Sequence, residues 1–138
     1  MSDATPPGEP ARVLIVEDET LVAMMMADLV EEVGFDVVGT ATSPNEALKI
    51  CEDERPDIAI VDVTLKGERA GTRLGAELSR RYGVCLIFIS GHGDVGEWPE
   101  VQALAPTAVL RKPCPPHEFM RALEEAARKK KRRPAGSS

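Results

Sequence analysis

The chain has 138 residues, close to one domain at roughly 150 residues each, and its 43% hydrophobic and 29% charged content excludes a disordered or fibrous protein. Seventeen basic residues against 23 acidic ones give a net charge of −6, but Arg128–Arg133 (Arg-Lys-Lys-Lys-Arg-Arg) holds six of the cations, so the other eleven face 23 acids for a net of −12. An acidic body of this kind argues against direct DNA binding, which needs Lys and Arg spread across one face.

In chain order, residues 1–10 contain three prolines and a glycine and read as a disordered leader. Arg12–Val16 is a short β-branched run and predicts a buried strand. Thr20–Val33 spaces Leu21, Met24, Met25, Leu29, Val30 and Val33 at helical intervals, with Gly34 as the stop. The Met24-Met25-Met26 stripe is expected in the core rather than at a cofactor. Asp36–Ala41 is a second strand. Ser43-Pro44-Asn45-Glu46 supplies a capping serine, a proline at the first helical position and a capping-box glutamate, predicting a helix to about Asp53. A third strand over Asp57–Val61 and a helix over Ala70–Tyr82, closed by Gly83, come next. Val84–Ile89 is a fourth strand. A weak helix near Val95–Ala105 is interrupted by Gly96 and Pro99, and Thr107–Leu110 is a fifth strand. Pro116–Lys130 is the last helix, with Phe119, Leu123, Ala126 and Ala127 on one side. The folded unit is expected over residues 11–128, with 129–138 a basic disordered tail.

Strands alternating with helices imply an α/β protein with a doubly wound, five-stranded parallel sheet covered on both faces. Ligands of such sheets bind beyond the carboxyl ends of the strands. There the sequence places Glu17-Asp18-Glu19 after strand one, Asp62 after strand three, Ser90-Gly91 after strand four and Arg111-Lys112-Pro113 after strand five. Two carboxylates ~4 Å apart repel by about 4 kcal/mol at an effective dielectric near 20, so converging acids call for a cation. An oxygen-only donor set with Lys112 nearby points to Mg²⁺ rather than zinc, and to phosphoryl transfer.

This order of parts resembles the receiver domain of two-component response regulators, over about Arg12–Arg128. The resemblance implies the flavodoxin-like strand order 2-1-3-4-5 and makes Asp62 the phospho-acceptor for a sensor histidine kinase. Asp18 and Asp62 would bind Mg²⁺ directly, Glu17 would bind it through water, and the Thr64 carbonyl would be a further ligand. Lys112 would pair with the phosphoryl group, Pro113 would follow in a cis peptide bond, and Ser90 would turn inward to a phosphoryl oxygen. Gly67 matches the family's glycine in the loop after strand three. One position departs: the family usually has Tyr or Phe three residues before the lysine, where this chain has Val109. The usual inward swing of an aromatic ring is therefore unavailable. Phe88-Ile89-Ser90-Gly91-His92-Gly93 and Asp62-Val63-Thr64-Leu65-Lys66-Gly67-Glu68 are similar to an alphaproteobacterial subgroup marked by Phe-Ala-Thr-Gly after strand four, which lacks that aromatic.

Other motifs are weaker. Gly91-His92-Gly93-Asp94-Val95-Gly96 fits a dinucleotide fingerprint in letters only, because the next strand ends in Arg111-Lys112 instead of an acid. Cys114-x-x-His117 has too few ligands for zinc. His92 is either an exposed loop imidazole or a neighbour of the phosphoryl group. Three cysteines without a Cys-x-x-Cys pair suggest the reducing cytoplasm. The longest apolar runs, Leu21–Met26 and Val84–Ile89, are far short of the ~18 residues of a membrane span, and no signal peptide is evident. The expectation is a stand-alone signalling switch, not an enzyme, with an unidentified downstream protein, no membrane partner and room for a homodimer. The alternatives are a receiver-like binding module that is never phosphorylated, a flavin carrier, and a small phosphatase with an aspartyl nucleophile. The last lacks the second acid of Asp-x-Asp, since Thr64 stands there.

Overall fold

A computed structural model describes residues 9–65 and 70–132. Gly67, with Lys66 and Glu68, lies outside the described residues, as do residues 1–8 of the expected leader and 133–138 of the expected tail. The elements are β1 (Arg12–Val16), α1 (Thr20–Val33), β2 (Asp36–Ala41), α2 (Pro44–Glu54), β3 (Ile58–Asp62), α3 (Ala70–Tyr82), β4 (Cys85–Ser90), α4 (Pro99–Leu104), β5 (Ala108–Arg111) and α5 (Pro116–Arg132). All pairings are parallel and the strand order is β2-β1-β3-β4-β5, the flavodoxin-like doubly wound arrangement.

The central strands are apolar along their whole length because both faces are covered. Every residue of β3 and β4 is buried. Alternation along the strands divides the core in two. Val13, Ile15, Ile58, Ile60 and Ile87 pack with Met26 and Val30 of α1 and with Phe119 and Leu123 of α5. Leu14, Val16, Ala59, Val61 and Phe88 pack with Ala47 and Cys51 of α2, Leu74 and Leu78 of α3 and Val101 of α4. The predicted buried side of α5, with Phe119, Leu123, Ala126 and Ala127, is the buried side found.

α1 departs from its sequence reading. Its buried stripe is Ala23, Met26 and Val30, while Leu21, Met24 and Met25 are 75%, 58% and 65% exposed. Only Met26 of the methionine stripe is core, because the sheet meets the helix on the side of Ala23 rather than Leu21. Gly34 ends α1 in the left-handed region at φ 97°, as expected. At α2 the Ser43 hydroxyl accepts the Glu46 N–H at 3.3 Å. The Glu46 carboxylate accepts the N–H of Thr42, one residue before the cap, at 2.8 Å.

β3, β4 and β5 each sit one residue later than their patterns suggested, so Asp62, Ser90 and Arg111 are the last strand residues rather than the first loop residues. Asp57 is instead fixed just ahead of β3, its carboxylate accepting the Arg12 N–H at 2.9 Å. The weak helix splits into a 3₁₀ turn over Val95–Glu97 and α4, which starts at Pro99. The basic segment expected to be disordered from residue 129 begins as helix: α5 reaches Arg132. Lys130 is buried, its ammonium donating to the Gly83 carbonyl at 2.9 Å, which ties the helix end to the α3–β4 turn.

Candidate functional site

Parallel strands deliver their carboxyl ends to one side of the sheet, and the predicted residues meet there. Glu17 follows β1, Asp62 ends β3, Ser90 ends β4 and Lys112 follows β5. Glu17, Asp62 and Ser90 are 1%, 2% and 0% exposed, whereas Asp18 faces solvent. Carboxylate oxygens of Glu17, Asp18 and Asp62 lie within 4.8 Å of one another. The Lys112 ammonium sits 2.8 Å from Glu17 Oε1 and 3.1 Å from Asp62 Oδ2, donating a hydrogen bond to the latter. Glu19 Oε1 is 3.6 Å from the same ammonium. The other Asp62 oxygen, Oδ1, accepts the Thr64 N–H at 3.0 Å and its hydroxyl at 3.2 Å. Asp62 is therefore oriented from both sides.

Local geometry follows from backbone placement. The Lys112 N–H donates to the Ser90 carbonyl at 2.8 Å, which carries the β5 pairing one residue past the strand. The Lys112–Pro113 peptide is cis, as the resemblance implied. The Ser90 hydroxyl accepts the His92 N–H at 3.0 Å, so it is engaged by the loop after β4. His92 itself is exposed. Gly71, in the first turn of α3, passes so close to β3 that a Cβ there would lie 2.1 Å from the Asp62 carbonyl oxygen. Only glycine permits that approach. Glu19 and Arg111 stood in the strand-end runs of the sequence without a role of their own, and Gly71 was not singled out. Glu19 could have been given one, from its place in the acidic run; Gly71 carries no motif.

Three carboxylates around one ammonium leave the pocket with excess negative charge. Burial holds the Glu17 carboxyl above the ordinary carboxylate range, with repulsion from Asp62 adding to it against the pull of Lys112 and the Glu19 N–H. Burial draws the Lys112 ammonium down, but Glu17 and Asp62 outweigh it and hold it above an ordinary lysine. Glu17 Oε1 is buried, and its close contact is the Lys112 ammonium at 2.8 Å. Three carboxylates with oxygens within 4.8 Å of one another, sharing one lysine, are a donor set that a hard divalent cation fits.

A doubly wound sheet with an acidic cluster and an opposing lysine at its carboxyl side defines an α/β domain with one charged pocket at its strand ends. Residues 13–124 match the family described as response regulator receiver domain, and the chain belongs to it. It is 33% identical over 118 residues to the phyllosphere-induced regulator PhyR of Methylorubrum extorquens, covering 83% of this chain and 42% of that protein. It is 29% identical over 117 residues to the transcriptional regulatory protein PdtaR of Mycobacterium tuberculosis, covering 85% of this chain and 57% of that one. The chain thus spans about half the length of these curated relatives. The crystal structure of the signal receiver domain of a modulated diguanylate cyclase from Desulfovibrio desulfuricans superposes with a TM-score of 0.80 at 35% identity, over 89% of this chain and 98% of that one. Among the described residues, no helix is long and apolar enough to cross a membrane.

Proposed function

We propose that this chain is a phosphorelay response regulator in which Asp62 takes a phosphoryl group from the phosphohistidine of a sensor histidine kinase. The observation that carries this reading is the Lys112 ammonium spanning Glu17 and Asp62, at 2.8 and 3.1 Å, from two strands that only the fold brings together. In the transfer, an Asp62 carboxylate oxygen forms the new bond to phosphorus while the phosphorus–nitrogen bond breaks, and the imidazole leaves with the electron pair and takes a proton. The protein's part is positioning and charge stabilisation. Thr64 holds Asp62 Oδ1, and Lys112 places a fixed positive charge beside Oδ2. Ser90 turns from the His92 N–H to donate to a phosphoryl oxygen.

Glu17, Asp18, Asp62 and the Thr64 carbonyl would hold Mg²⁺. Bound there, it would offset the charge on the transferring phosphoryl oxygens. The convergence of the three carboxylates supports this set.

Signalling runs through contact with a downstream protein or by passing the phosphoryl group on, with slow self-hydrolysis and no substrate turnover. Phosphorylation adds negative charge and acceptor oxygens at Asp62, which biases the loops around it between two arrangements. Three free cysteines fit the cytoplasm. Intact mass after acetyl phosphate treatment tests the reading. Wild type with Mg²⁺ gains one phosphoryl group, Asp62→Ala gains none, and a chelator suppresses the gain. An equal gain in Asp62→Ala overturns it.

A further inference from the structure

We infer that Arg111 is the positioning residue that seats the loop between β4 and α4 beside Ser90, in a chain whose Val109 leaves no aromatic ring there. The inference rests on the phosphorylation of Asp62 proposed above for its consequence, though not for the contact itself. Val109 and Arg111 are two residues apart on β5 and share a face of the sheet. Val109 packs into the cluster shared with α3 and α4, whereas Leu110 packs on the opposite face, so the Arg111 side chain leaves β5 on the α4 side. There its guanidinium lies against Gly93. A Cβ at Gly93 would be 3.1 Å from Arg111 Nη1 and 3.2 Å from Cζ. Two residues earlier on β5, Val109 stands 3.9 Å from where a Gly96 Cβ would be. Gly96 is thus at ordinary contact distance from β5, whereas Gly93 leaves room for a planar cation that has no side-chain ion pair or hydrogen bond among the described residues.

The same loop is held from its other end by Ser90. Its hydroxyl accepts the His92 N–H at 3.0 Å, one residue before Gly93. Ser90 and Arg111 are direct partners in the β4–β5 pairing. The same residue pair thus meets the loop twice: the Ser90 hydroxyl accepts the His92 N–H, and the exposed Arg111 guanidinium lies against Gly93. When the Ser90 hydroxyl turns to a phosphoryl oxygen on Asp62, the His92 N–H loses its acceptor. Segment 91–97 is then held by Val95, buried in the core cluster, and by its contacts with Arg111 and Val109. Arg111 decides how far the loop moves, and with it Trp98, which caps α4 and packs against the core.

Trp98 is the only tryptophan in the chain, so its fluorescence reports this loop without a label. In Arg111→Ala, amide hydrogen exchange over 91–97 in the unphosphorylated protein rises about tenfold while α5 is unchanged, as local opening requires. The resting Trp98 emission moves toward that of phosphorylated wild type, and the further change on adding acetyl phosphate and Mg²⁺ falls to less than half, although intact mass shows that Asp62 is still phosphorylated. Gly93→Ala, which pushes the guanidinium away, shifts exchange in the same direction. Wild-type exchange over 91–97 in Arg111→Ala, or a full Trp98 response in that variant, overturns the inference. A wild type that gains no phosphoryl mass while the exchange difference persists fails the phosphorylation reading and upholds the Arg111 contact, so the two failures are told apart.

Discussion

The two ends of β3 carry aspartates of nearly equal burial and opposite circumstance. Asp57, just before the strand, is 5% exposed, and its carboxylate accepts the Arg12 N–H, with the Arg12 guanidinium paired to Glu54 close by. Asp62, the last strand residue, is 2% exposed but shares a single lysine with Glu17 and lies against Asp18. At the amino end each charge has its own partner. At the carboxyl end the acids outnumber the cations and the surplus is buried. Buried surplus charge of that kind gathers at functional sites, which is why the same residue type reads as scaffold at 57 and is proposed as the phospho-acceptor at 62.

Substituting the two aspartates breaks the comparison most sharply. Asp62→Ala loses phosphorylation entirely. Asp57→Ala keeps it but leaves a buried backbone N–H without its acceptor, lowering stability by about 1–3 kcal/mol in urea unfolding. Full phosphorylation of Asp62→Ala, or none in Asp57→Ala that is still folded, would erase the contrast. Lys112→Ala should slow acetyl phosphate labelling by roughly 100-fold, the scale of removing one preorganised charge partner, measured as the rate of mass gain.

Gly71→Ala follows in size. Its Cβ would meet the Asp62 carbonyl at 2.1 Å, closer than backbone can tolerate, and the overpacking should cost about 1–3 kcal/mol or more. An unchanged urea midpoint would show that α3 can retreat from β3 freely.

A pH series sharpens the contrast further. Because burial raises the folded-state value of Glu17 above its ordinary 4.5, its contribution to stability is present below that ordinary value and is lost as pH rises through the raised one. Lys112, also raised, contributes below its ordinary 10.5 and loses that only as pH climbs through its own higher value. Metal-free protein should therefore lose stability just above the ordinary carboxylate range. Glu17→Gln should flatten that decline, and Mg²⁺ at 100 times its dissociation constant should restore about 2.7 kcal/mol in wild type. Thermal melts across that range, with and without Mg²⁺, check both. The smallest effect belongs to the amino end: Arg12→Ala removes a half-exposed pair with Glu54 and should change stability by about 0.5 kcal/mol from that pair.

Much of this molecule is determined locally. Strands β1, β3 and β4 are apolar because they are covered on both faces, and that alone separates them from the amphipathic helices between them. Gly34 and the Ser43–Glu46 cap act within a few residues, so their positions follow from composition. Glu17, Asp18, Asp62, Ser90 and Lys112 were readable because a parallel sheet sends every strand end to one side, whatever the loops do. Contacts between distant segments were not readable. The face of α1 that meets the sheet depends on how the helix rolls over β1, and it buried Met26 while leaving Met24 and Met25 outside. The end of α5 depends on Lys130 finding the Gly83 carbonyl 47 residues away. Gly71 and Arg111 gain their meaning only from Asp62 and Gly93, since steric fit acts through space and leaves no periodic trace along the chain.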